Sequence, residues 1–167
     1  MECRCSIRQR AFCRFFSRFA YIILFFVSSP IFLLQPLTKF TIGEEEKNMW
    51  SQIKPIKVWG KGGPNPPKVA IVLEELGLPY EAVAIQFADV KKPDYLAINP
   101  NGRLPAIYDP NTDLTLWESG AIIEYLIERY DTTHKLSFAP GTAESYHAKQ
   151  WLFFQTTGQG PYYGQAV

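Results

Sequence analysis

The sequence predicts an α/β domain, a mixed four-stranded sheet with helices on both faces, built as a βαβ unit followed by a ββα unit. Three observations carry this expectation. Two β-branched stretches, 56–59 and 80–85, flank a segment of helical periodicity. Two further short strands, 105–108 and 114–117, are joined by the polar turn 109–113. A second amphipathic pattern begins at Ser119 and runs to Tyr130.

Ile56-Lys57-Val58-Trp59 alternates and reads as the first strand. A glycine-rich loop, 60–64, follows it. Asn65 then precedes Pro66-Pro67, which suits an N-cap with proline at the first helical position. Val69, Ala70, Val72, Leu73 and Leu76 recur at helical spacing, Gly77 ends the pattern, and Pro79 prevents its continuation. The strand–helix–strand order implies a right-handed crossover and parallel strands. Residues 91–97 are expected to hold a short helical turn. In the second helix Ile122, Ile123, Leu126, Ile127 and Tyr130 fall on the buried side. Residues 134–141 connect to a further helix from about Thr142 through Trp151-Leu152-Phe153-Phe154. Glycines 158, 160 and 164, with Pro161, are expected to disturb its end.

The first 48 residues read differently. They carry seven Lys and Arg against four Asp and Glu, with five arginines before residue 19. An apolar run, 19–27, follows, is broken by Ser28-Ser29-Pro30, and resumes at 31–34. Basic-then-apolar order suits a signal peptide or membrane anchor. The run is short for a spanning helix, which needs about 20 residues. A mitochondrial presequence is a further alternative, as is a segment outside the working protein, since Met49 stands just before the domain pattern. The expected organisation is therefore an extension at 1–48, a globular domain at 49–133 and a helical piece at 142–167. A cytoplasmic location is expected, with membrane attachment only if 19–34 is a genuine anchor.

Composition narrows the function. Residues 49–167 carry ten basic and twelve acidic side chains, so no basic patch supports nucleic-acid binding. All three cysteines, Cys3, Cys5 and Cys13, precede residue 14. The globular part thus has no disulfide, no thiolate nucleophile and no cysteine metal site, and no metal is expected.

Three clusters fall at strand ends and helix starts on one edge of the expected sheet. Gly62-Gly63-Pro64-Asn65 lies at the top of the first helix, where free N–H groups and a partial positive charge stabilise an anion. The alternative is that Asn65 only caps the helix. Asn99-Pro100-Asn101-Gly102-Arg103-Leu104-Pro105 leads into a strand. A proline there can be cis and leave the preceding backbone free for a ligand, or the segment is a structural turn. Trp117-Glu118-Ser119-Gly120 opens the second helix. Glu118 and Ser119 are ordinary capping residues, yet together they offer a carboxylate, a hydroxyl and N–H groups, which an amino-acid head group requires.

With these motifs in this order, the chain resembles the N-terminal domain of glutathione transferases, in the fungal branch related to the yeast nitrogen regulator. Trp151-Leu152-Phe153-Phe154-Gln155 and Gly158-Gln159-Gly160-Pro161 resemble the first C-terminal helix of that branch. The likeness covers about residues 53–167. It implies a thioredoxin-like domain followed by the start of an all-helical domain, and a homodimer. It implies glutathione as co-substrate, with Glu118 and Ser119 holding its γ-glutamyl group and Leu104 pairing with its cysteinyl backbone before a cis Pro105. Arg103 belongs to the same motif, and Lys91 or Lys92 would meet the glycyl carboxylate. Asn65 would occupy the catalytic place and steady the thiolate, since an amide donates a hydrogen bond but takes no proton. The implied activity is attack of that sulfur on an electrophile or peroxide. The alternative is a catalytically weak glutathione-binding regulator.

Overall fold

The computed structural model describes residues 52–60 and 63–165. The apolar run at 19–34, the three cysteines, Met49, Lys61 and Gly62 lie outside the described residues. Strand β1 spans Ile56–Trp59, helix α1 Pro66–Leu76 and strand β2 Tyr80–Val83. A 3-10 turn, Phe87–Asp89, and helix α2, Pro93–Leu96, lead to strands β3, Ala106–Asp109, and β4, Leu114–Trp117. Helix α3 covers Ser119–Tyr130 and helix α4 Ala143–Phe154.

The sheet order is β2-β1-β3-β4, with β1 and β2 parallel and the other pairs antiparallel. The expected βαβ-ββα architecture is present. Two boundaries moved, for local reasons. Strand β2 stops at Val83, not residue 85, because its partner β1 ends at Trp59 and the ladder has nothing further to pair with. Strand β3 starts at Ala106, one residue after Pro105, which has no N–H to give the ladder.

Alternation sorts the side chains to two faces. Ile56, Val58, Ile107 and Leu116 point to one side and pack with Val69, Val72, Leu73 and Leu76 of α1 and Ile122, Ile123 and Leu126 of α3. Trp59 and Ala106 face the other side and meet Val90, Tyr95, Ile98 and Leu104. Ile127, expected within the core, is only partly buried at its margin. Helix α1 closes with Gly77 at φ 69°: its N–H donates to Glu74, and that of Leu78 to Leu73. This pair of bonds is a Schellman stop.

Helix α4 begins where Thr142 Oγ1 accepts from the Ser145 N–H at 3.2 Å. Leu152 reaches back to the main core. The expected disturbance takes a definite form: a π-helical segment, Gln155–Gln159, followed by helix α5, Gly160–Gln165. The Gly160 N–H donates to the Gln155 carbonyl, five residues back. Pro161 has no N–H and its ring crowds the preceding turn, so a widened turn before it relieves the clash an α-helix would suffer.

Candidate functional site

The register of the sheet assembles the site. Trp59, Ala106 and Trp117 are paired in one row across β1, β3 and β4. One residue further along lie Gly60, Pro105 and Glu118. Strands about 4.8 Å apart put Glu118 roughly 10 Å from Gly60 on the same sheet edge. The start of α1 closes on this edge through Gly60, whose φ is 132°. A Cβ there would stand 2.8 Å from Pro66 Cγ and 3.4 Å from Leu104 Cβ. The absent side chain lets α1 and the segment before β3 meet, a role that sequence reading gave only to a loop.

The Leu104–Pro105 peptide is cis. Among the described residues, no hydrogen bond occupies the Leu104 backbone N–H or carbonyl. The loop that presents it is braced from below. Buried Asn99 accepts from the Asn101 N–H at 2.9 Å and donates to the Arg103 carbonyl at 2.6 Å, and the Tyr95 hydroxyl donates to the same carbonyl at 2.8 Å. Asn99 and Tyr95 are thus structural supports of the loop: the Asn-Pro-Asn-Gly turn signals the first in the sequence, and nothing local signals the second. Arg103 is exposed and enters the loop through its carbonyl.

Glu118 precedes α3 with φ 73° and ψ 116°, outside the regions comfortable for a residue with a Cβ. Its side chain makes no cap hydrogen bond and is exposed. Among the described residues its one side-chain hydrogen-bond partner is Asn101 Nδ2, at 3.5 Å from Oε1. Ser119 is buried at the first helical position. Backbone strain of this kind persists where the surroundings enforce it, and it clusters at ligand sites. No sequence signal announces it, because Glu is an ordinary residue before a helix.

Asn65 occupies the N-cap position of α1 with φ −90° and ψ −42°, and its side chain makes no cap bond. Capping by side chain therefore accounts for neither Asn65 nor Glu118. The expectation of free N–H groups at this helix start needs correction. Pro66 and Pro67 have none, and the Lys68 N–H donates to the Asn65 carbonyl at 3.2 Å.

The two lysines part company. Lys91 Nζ donates to the Asn101 carbonyl at 2.8 Å, which places it against the loop that carries Leu104. Lys92 pairs with Asp89 at 2.6 Å, and that hydrogen bond holds its proton more tightly than usual. The structure thus brings Asn65, Leu104, Pro105, Glu118, Ser119 and Lys91 around one edge, and turns Lys92 towards Asp89. Among the described residues no cluster of His, Cys, Asp and Glu is arranged to hold a metal ion.

Fold and site together define a glutathione transferase N-terminal domain of the thioredoxin-like kind, with the start of a helical domain behind it. The family described as "Glutathione S-transferase, N-terminal domain" matches residues 54–128, and this domain is similar in sequence to fungal relatives such as the two that follow. It is 75% identical over 116 residues to the glutathione S-transferase-like protein gedE of Aspergillus terreus, covering 70% of this chain and 51% of the relative. It is 45% identical over 112 residues to the protein URE2 of Eremothecium gossypii, covering 64% and 32%. Among solved structures, the glutathione transferase URE2P6 of Phanerochaete chrysosporium, in complex with oxidized glutathione, superposes with a TM-score of 0.65. The identity there is 56%, over 68% of this chain and 53% of that one. The chain spans about half the length of the curated relative gedE.

Proposed function

We propose that this chain binds glutathione along the sheet edge and holds its sulfur as a thiolate for attack on a small electrophile or a peroxide. Glu118 accepts the γ-glutamyl ammonium, and Ser119 with the start of α3 donates to its carboxylate. Leu104 pairs with the cysteinyl backbone before cis Pro105, which directs the sulfur towards Asn65. Lys91 is better placed than Lys92 for the glycyl carboxylate, because Lys92 is engaged by Asp89. The observation that carries this reading is a set of groups along this edge that make no hydrogen bond among the described residues. They are the Asn65 amide, the Leu104 backbone and the Ser119 hydroxyl, beside a Glu118 held in a strained conformation.

A free thiol of the cysteine type ionises near a pKa of about 8.5. A hydrogen bond from the Asn65 amide favours the charged form and lowers that value. On an aryl halide the thiolate forms a C–S bond and halide leaves. On a hydroperoxide the sulfur attacks the distal oxygen, the O–O bond breaks, and an alcohol is released. A second glutathione then reduces the resulting sulfenic acid to a disulfide and water. The working form is taken to be a cytoplasmic homodimer. That reading rests on the match to the glutathione transferase domain family; among the described residues, which do not include 19–34, no helix is long and apolar enough to cross a membrane.

Isothermal titration with glutathione tests the site. Glu118→Ala and Ser119→Ala are expected to weaken binding tenfold or more, about 1.4 kcal/mol, with little change in melting temperature. Unchanged affinity with a loss of the ~1 kcal/mol typical of a helix cap would make both residues structural. A second reading, a glutathione-binding regulator with weak turnover, is favoured by the similarity to URE2. It predicts glutathione binding with no conjugation of chlorodinitrobenzene and no hydroperoxide turnover, and a protein partner.

A further inference from the structure

A thiolate beside Asn65 needs a positive surrounding, and the start of α1 is poor in the usual source. The first three helical positions normally offer free N–H groups. Here Pro66 and Pro67 have none, and the Lys68 N–H is taken by the Asn65 carbonyl at 3.2 Å. The cation in this turn is Lys68 itself. Its ammonium reaches across to the π-helical segment and donates to Gln155 Oε1 at 2.6 Å, a neutral partner. The residues one turn further along α1, Ile71 and Val72, are apolar. Among the described residues no carboxylate lies within 4.0 Å of the Lys68 Nζ.

This is an uncomfortable place for a positive charge. A basic side chain in the first turn is opposed by the helix dipole, and a partly buried ammonium without a counter-ion is costly. Burial alone brings its pKa down to about 8. An anion arriving beside such a group stabilises it, and the group stabilises the anion equally.

Resting on the reading above, in which the glutathione sulfur lies beside Asn65, we propose that the Lys68 ammonium supplies the positive charge that keeps this sulfur a thiolate. It stands in for the backbone donors that Pro66 and Pro67 remove. Lys68 acts through space and takes no proton from the sulfur, so it is a positioning residue. Its bond to Gln155 braces the ammonium against the π-helical segment but is not the source of the charge.

The thiol pKa of glutathione bound to the full chain is read from thiolate absorbance, with S-methylglutathione as a ligand that has no thiol. In Lys68→Gln, which keeps a donor towards Gln155, the bound thiol pKa is expected to rise by about one unit, a tenfold loss of thiolate at fixed pH. Affinity for S-methylglutathione should stay unchanged. Lys68→Arg should restore the low value, and Gln155→Leu, which removes the acceptor and keeps the cation, should leave the pKa lowered. A bound thiol pKa that is the same in Lys68→Gln and wild type overturns the inference and leaves Lys68 a strut between α1 and the π-helical segment. If the variant fails to fold, NMR titration of Lys68 in the wild-type chain decides. Its own pKa should rise with glutathione and not with S-methylglutathione, and an equal response to both refutes the proposal. Absence of wild-type glutathione binding overturns the glutathione reading itself, before any variant is made.

Discussion

Glu118 combines two properties that rarely favour each other, a strained backbone and an exposed carboxylate with one side-chain hydrogen-bond partner among the described residues, at 3.5 Å. At φ 73°, alanine keeps the clash of its Cβ with the backbone and glycine does not. Glu118→Gly is therefore expected to be more stable than Glu118→Ala by roughly 1 kcal/mol, while both lose glutathione affinity. Paired urea melts and titrations check this. Equal stability of the two variants would mean the backbone relaxes at no cost. Asp109 presents the opposite case. It is fully buried, which opposes its charge, but Tyr125, Tyr130 and Asn111 all donate to it, and its carboxyl is held below the usual value. A carboxylate with a depressed folded-state pKa stabilises the fold above its unfolded pKa of about 3.9 and loses that contribution as pH falls further. Asp109→Asn should destabilise the domain by roughly 2 kcal/mol at neutral pH, and its stability should fall less steeply than that of wild type between neutral and acid conditions. Chemical denaturation at several pH values reads both. In the sequence Asp109 stands out only as a turn residue, because its three partners lie up to 21 positions away.

At the scale of elements, what could be read in the sequence was whatever is encoded locally. Proline pairs, Gly77 and the spacing of Val69, Val72, Leu73 and Leu76 mark α1 without help from the rest of the chain. Glu118-Ser119 and the Asn-Pro-Asn-Gly turn likewise point to the edge where they meet. What stayed hidden depends on approach between distant segments. The same prolines that announce α1 also strip its start of donors, which follows from sequence but matters only once an anion is placed there. Gly60 is the clearest case. Its neighbours Pro66 and Leu104 are 6 and 44 residues away, and only the folded chain brings both within 3.4 Å of its missing Cβ. Gly60→Ala must both adopt φ 132° and push α1 from the segment before β3. A loss of roughly 3 kcal/mol is expected, with glutathione binding lost at temperatures where the variant remains folded. A variant with wild-type melting and wild-type affinity would show that the β1–α1 junction is soft and that the site does not depend on its geometry.

Over the whole molecule the two ends of the described chain have opposite characters. The sheet domain buries most of its apolar side chains on two faces, Phe87 and Trp117 excepted, whereas α4 and α5 carry most of theirs outwards. Phe153 is 61% exposed, Phe154 54%, Tyr162 75% and Tyr163 52%, with Trp151 stacked edge-on against Phe154. Helix α4 and the π-helical segment after it are held to the sheet domain by Leu152 packed against the core, by Lys149 bonded to Glu124, and by Lys68 bonded to Gln155. Several exposed aromatic side chains gathered on one terminal helical segment favour association in water. The chain is therefore expected to self-associate, with a weight-average mass in sedimentation that rises with concentration. The double variant Phe153→Ser, Phe154→Ser should shift that rise to higher concentration. Neither residue belongs to the sheet edge, so glutathione affinity should be retained in the variant. A mass independent of concentration in both proteins would mean these aromatics are covered in solution. Loss of glutathione binding together with association would instead make the helical face part of the site, as a second-substrate wall or a subunit contact that completes it.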